Sequence, residues 1–185
     1  MESRFDGGPA PAGLINGQHL APYARMPYGA SDVGRAGCEA IAVYNLMALI
    51  GRPRSFQSVM AFFTGRFRRR RLRLSGWGRN GAWGAAPWDI AAYLREQGVA
   101  YRRIRSYREL EALAHGEGVF IVSYWNKPFT GGYHTVAIRR EGTRFLAYNH
   151  NCASPVPAQA SGIGRFLPGR GRFISGFFVP YPQSQ

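Results

Sequence analysis

The chain has 185 residues, 45% of them apolar, with four Trp, ten Tyr and twelve Phe, an ordinary balance for one globular domain with a sizeable core. No run approaches the roughly 18 apolar residues of a membrane span, and "MESRFDGGPAPAG" at the start lacks the apolar segment of a secretory signal. The net charge of +14 comes from 24 Lys and Arg against 10 Asp and Glu, with Lys127 the single lysine; it fits either an arginine-biased composition or an anionic partner.

Residues 1–37 are rich in Gly, Pro and Ala and lack periodicity, so they read as an extended lead-in crossing the surface. From Cys38 to Ile50 only Glu39 and Asn45 are strongly polar. A helix apolar on every side belongs in the middle of a domain, and Gly51 with Pro53 stops it. Ser55 to Thr64 predicts a second helix, followed by the arginine run "GRFRRRRLRLSGWGR" at 65–79. Pro87 to Gln97 predicts a third helix, Val99 to Arg105 a short strand, and Ser106 to Ala114 a short helix with a serine cap. The texture then turns to β. "GVFIVSYW" reads as a buried strand, "YHTVAIRR" and "TRFLAYN" as a hairpin around Glu141-Gly142, and "FISGFFVPY" as a last strand. Helices first and an antiparallel sheet second give an α+β class.

Few side chains suit nucleophilic chemistry. Two cysteines, Cys38 and Cys152, make no disulfide framework and read as reduced thiols in a cytoplasm. Cys38 opens the apolar helix, where the macrodipole favours thiolate and unpaired first-turn N–H groups can receive an oxyanion. Glu39 beside it works the other way. Of the four histidines, His134 starts an apolar strand just after Gly132, where small residues leave room for approach. With Glu141-Gly142 as the two-residue loop, Arg140 faces Thr143 and His134 stands opposite Asn149 on the same face. The Asn149 side chain is then expected on one ring nitrogen of His134, with the other facing Cys38. The bland alternatives are an inert buried cysteine, a structural histidine and turn chemistry for "YNHN".

The order of a Cys on a central helix, then His and Asn on a later antiparallel sheet, resembles the papain-like cysteine peptidases. "GCEAIAVYNLMALIG" resembles the nucleophile helix of the bacterial branch that includes bacteriocin leader peptidases. "GAAPWDIAAYLREQGV" resembles the helix that follows, and "GGYHTVAIRREGTRFLAYN" its His strand and return strand. The resemblance covers residues 34 to 151. It implies a domain over 38–185 and a Cys38–His134–Asn149 triad. The position six before the cysteine, where that family carries a glutamine facing the oxyanion, holds Asp32, a carboxylate that would repel one. Gln18, Asn16 and Gln57 are other candidate donors.

The expectation is a standalone papain-like α+β domain that cleaves peptide or other amide bonds through an acyl-enzyme. An acyl transferase, or a non-catalytic basic binding protein on the same scaffold, is the alternative. The loop from Ser75 to Trp88, with Trp83 and Trp88, is expected to border the substrate groove. Arg68, Arg69, Arg70 and Arg71 are the candidate contacts for a polyanion such as nucleic acid. No cofactor or metal is implied, because Cys and His do not cluster with ligand spacing.

Overall fold

The computed structural model describes residues 13–71, 85–126 and 132–181, and of 67–71 the backbone alone. A two-strand ribbon, β1 (Pro27–Tyr28) with β2 (Ser31–Asp32), leads into a single helical turn, α1 (Val33–Ala36). The helices α2 (Cys38–Leu49), α3 (Phe56–Arg71), α4 (Pro87–Glu96) and α5 (Tyr107–Leu113) follow, with β3 (Arg102–Ile104) before α5. The chain then runs through β4 (Gly118–Trp125), β5 (Tyr133–Glu141), β6 (Arg144–Tyr148), β7 (Ala158–Ala160) and β8 (Phe173–Pro180). These form one antiparallel six-strand sheet in the order β3-β8-β4-β5-β6-β7. The architecture is α+β, as the sequence pattern implies.

The sheet carries a core on each face. Val119, Ile121, Phe177 and Val179 face Ile41, Val43, Leu46, Met47, Phe63, Ile90 and Leu94 of the helices. Phe120, Val122, Tyr124, Val136 and Ile138 alternate onto the other face with Ile104, Leu110, Ile163 and Phe166. α2 is buried on nearly every side, because it lies between the sheet and the remaining helices. Gly37 sets its start. A Cβ there would lie 2.7 Å from Val33 Cγ1 and 2.8 Å from the Val33 carbonyl oxygen, so glycine alone permits the corner between α1 and α2.

Three differences from the sequence reading have physical causes. First, α3 continues through the arginine run to Arg71, since arginine is a good helix former and nothing breaks the chain there. Second, the lead-in is not a surface strap. Ile15, Asn16, Gly17 and Gln18 are buried, and Asn45 holds Ile15 from within α2: Asn45 Oδ1 accepts from the Ile15 N–H and Asn45 Nδ2 donates to the Ile15 carbonyl, both at 2.8 Å. Third, the β5–β6 turn is Gly142-Thr143, with Glu141 opposite Arg144 and Ala137 opposite Tyr148. Gly142 (φ 60°) takes the first central position, as a two-residue turn opening on glycine requires. The pairing is therefore displaced by two residues from the one expected.

Asn45→Ala strands both backbone groups of Ile15 in a dry core. It should cost about 2 to 4 kcal/mol in urea unfolding, more than a surface substitution such as Arg95→Ala.

Candidate active site

The displaced register decides what surrounds His134. β6 leaves the ladder after Tyr148, and Asn149 turns the chain with a left-handed φ of 60°. Beyond that point the outer edge of β5 is open to other partners. His134 shares a face with Tyr124, Val136 and Ile138, directly across from Tyr124. The Tyr124 ring stands edge-on to it, centroids 5.9 Å apart. His134 Nε2 donates to the Asn149 backbone carbonyl at 2.6 Å. A carbonyl oxygen only accepts, so Nε2 carries the proton and Nδ1 the lone pair. His134 is 4% exposed, and burial lowers its pKa from 6.5 to about 4, which leaves the ring neutral at pH 7.

The Asn149 side chain does not orient the imidazole, contrary to the expected triad geometry. Its Oδ1 accepts from the Gln18 N–H at 3.0 Å, and its Nδ2 donates to Gln18 Oε1 at 2.8 Å. The left-handed backbone swings the amide toward the lead-in and leaves the carbonyl on the ring. The Asn149 N–H in turn donates to Asn16 Oδ1 at 2.9 Å. Gln18 is occupied as well. Its Nε2 donates to the Gly34 carbonyl at 2.7 Å and to the Val33 carbonyl at 3.4 Å, so it clamps the corner before α2 and has no amide proton aimed at a substrate.

Cys38 is 7% exposed at the first position of α2. The N–H of Thr135, the residue after His134, points at its sulfur and favours thiolate. Burial outweighs that bond, and the Glu39 carboxyl adds to it, so the thiol is held well above its usual range. The helix-start effect does not prevail here. Among the described residues no hydrogen bond joins Cys38 to His134. The sulfur in reach of the ring is Cys152, at 3.8 Å from Nε2. Cys152 follows the turn at Asn149, and that turn, which the sequence pattern does not show, is what brings it to the ring. Burial raises the Cys152 thiol too.

The remaining candidates scatter. Asp32 caps α1, accepting from the Arg35 N–H at 2.8 Å, with its carboxylate 3.8 Å from the Arg35 guanidinium. Gly132 is exposed just ahead of β5, and Trp88 is exposed in the first turn of α4. Trp83 and the side chains of Arg68, Arg69, Arg70 and Arg71 lie outside what is described. Gly37 has no side chain to cap the first turn of α2, where the Glu39 N–H is met by the carboxyl of Glu39 itself. Among the described residues no three His, Cys, Asp or Glu side chains group as a metal site requires. No helix there is long and apolar enough to cross a membrane.

A depressed imidazole pKa stabilises the fold above pH 6.5 and loses that contribution as pH falls, because the unfolded chain takes up the proton first. The stability margin of the native protein over His134→Gln should therefore shrink between about pH 6.5 and 4, by up to about 3 kcal/mol. Denaturant unfolding at several pH values measures it, and a pH-independent margin would contradict the buried neutral ring.

No known protein-family model matches the chain. No curated protein matches it. Among solved structures it is similar to the peptidase domain of Streptococcus ComA, a bi-functional ABC transporter involved in a quorum sensing pathway. The likeness has a TM-score of 0.52 at 13% identity and covers 83% of this chain and 96% of that one. With a helix opening on Cys38 packed against the antiparallel sheet, the chain has a papain-like α+β fold.

Proposed function

We propose that the protein is a cysteine-dependent hydrolase of peptide or other amide bonds, with Cys38 as nucleophile and His134 as its base. Asn149 holds the imidazole through its backbone carbonyl rather than its side chain. One observation carries the reading: the bond from His134 Nε2 to that carbonyl fixes the tautomer whose Nδ1 can take a proton. The Thr135 N–H at the Cys38 sulfur supports it by holding the thiol against the main chain next to the base, while the His134 ring itself leans to the face of Tyr124, so the two side chains meet only around the open edge of β5. The likeness of fold to a peptidase domain supports the reaction class.

In the reaction the Cys38 sulfur bonds to the amide carbon as its proton passes to His134 Nδ1. The Cys38 N–H, which the Gly37 corner leaves without a side-chain cap, receives the oxyanion, the role that neither Asp32 nor Gln18 can fill. His134 returns the proton to the leaving amine and the C–N bond breaks. Water then adds to the acyl carbon, losing a proton to the same nitrogen, and the C–S bond breaks as that proton returns to the Cys38 sulfur; an amine in place of water would make the reaction a transfer. With both resting groups neutral, attack and proton transfer occur together and no preformed ion pair is needed.

Cys38→Ala and His134→Ala should each abolish cleavage of a peptide library, read by mass spectrometry. Cys152→Ser should retain most of it. Cleavage lost with Cys152 and kept without Cys38 would assign the nucleophile to the wrong sulfur.

The raised Cys38 thiol favours a second reading, a non-catalytic basic protein on this scaffold with Arg68 to Arg71 on a polyanion. On that reading heparin binding falls steeply between about 50 and 200 mM salt, and Arg68–Arg71→Ser removes most of it. No retention at low salt would dismiss it.

A further inference from the structure

Glu39 stands next to Cys38 and is 1% exposed. Its Oε1 is hydrogen-bonded to the Tyr133 hydroxyl, and the same hydroxyl is hydrogen-bonded to the Ala85 carbonyl oxygen. A phenol has one proton, and a backbone carbonyl can only accept. The Tyr133 proton is therefore committed to Ala85, and the bond between Tyr133 and Glu39 needs a second proton, which only Glu39 can supply. We propose that Glu39 is held as a neutral carboxylic acid donating to Tyr133, and that as a positioning residue it keeps negative charge away from the Cys38 sulfur.

Burial pushes Glu39 up to about 7, outweighing hydrogen bonds from its own N–H, the Cys38 thiol and the Ala85 main chain that favour the carboxylate. The ionisable groups packed on it are Cys38 of α2, Tyr133 of β5 and Tyr28 of β1, all neutral at pH 7 because burial raises each. Asp89 of α4, which acts on Tyr28 from the far side, has its charge met by Arg66 of α3, Nε to Oδ1 2.6 Å. Among the described residues no arginine or lysine is paired with Glu39. When Glu39 ionises, the Tyr133 proton turns to it, the Ala85 carbonyl loses its donor, and an anion appears beside the thiol. Rising pH thus works against itself at this site: it draws the proton from Cys38 and charges the neighbour that opposes the thiolate.

The inference rests on the reading of Cys38 as the nucleophile, but its test measures the thiol itself. The full chain is alkylated with iodoacetamide from about pH 5 to about pH 9, and the rate at Cys38 is mapped by mass spectrometry. The native profile should flatten around pH 7 before rising again, whereas Glu39→Gln, whose amide still donates to Tyr133, should rise without a break. The two should coincide below about pH 6 and differ about tenfold above about pH 8, the variant being faster, as one unit of thiol pKa requires. A structural role alone would offset the rates at every pH, and that result, or identical profiles, overturns the proposal. Should the variant not fold, difference infrared on the native protein reads the same proton: a carboxylic-acid carbonyl band that titrates near pH 7 upholds the proposal, and its absence refutes it. A break at Glu39 without any amide cleavage would sink the hydrolase reading alone; cleavage with an unbroken profile would sink only this one.

Discussion

Every polar group of Asn149 is spoken for, and the site depends on that one residue. Its N–H goes to Asn16, its side-chain oxygen and nitrogen to the main chain and side chain of Gln18, and its carbonyl to His134. The left-handed backbone makes this possible by pointing the amide and the carbonyl to different segments. The lead-in, the corner ahead of α2 and the histidine strand are fixed relative to one another through it. Gln18 passes the constraint to Gly34, and so to the start of the helix that carries Cys38. All of these bonds are buried, so losing any partner leaves a desolvated group behind.

The site so fixed is poor in charge. His134 is lowered by burial, while Cys38 and Glu39 are raised by it. Low-dielectric surroundings penalise each ion separately, and among the described residues no buried arginine offsets the penalty despite the abundance of cations. Most described arginines are exposed, and half-buried Arg66 meets a carboxylate, that of Asp89. Among the described residues a strongly basic surface and a site poor in charge therefore coexist without conflict.

The helix of Cys38 and the strand of His134 were legible because their signals are local: an apolar run stopped by glycine, and a β-branched run after small residues. The class of the fold followed from the order of those runs. The register between β5 and β6 was misread, since both residues of Glu141-Gly142 fit a turn and only the backbone decides that glycine comes first. That two-residue error made Asn149 look like a facing side chain, when it is in fact the residue that leaves the sheet. The function of Gln18 was invisible for a different reason. A buried glutamine has four hydrogen-bonding positions, and sequence does not reveal that structure fills them. Glu39 was legible as an influence on Cys38, but the proton it holds is apparent only when Tyr133 and Ala85 converge on it from 94 and 46 residues along the chain.

The sheet ends on both sides in three-residue strands, β3 and β7. An open strand edge is a template on which another copy can extend the sheet, and a short one offers few sites for it. β3 adds a second defence, because Arg102 and Arg103 are exposed along it and would meet their own counterparts in an antiparallel or a parallel docking. This repulsion is screened over about 8 Å at physiological ionic strength, so it acts at contact distance and vanishes in concentrated salt. The arginines of β3 thus serve colloidal stability at one of the edges where the backbone itself is adhesive.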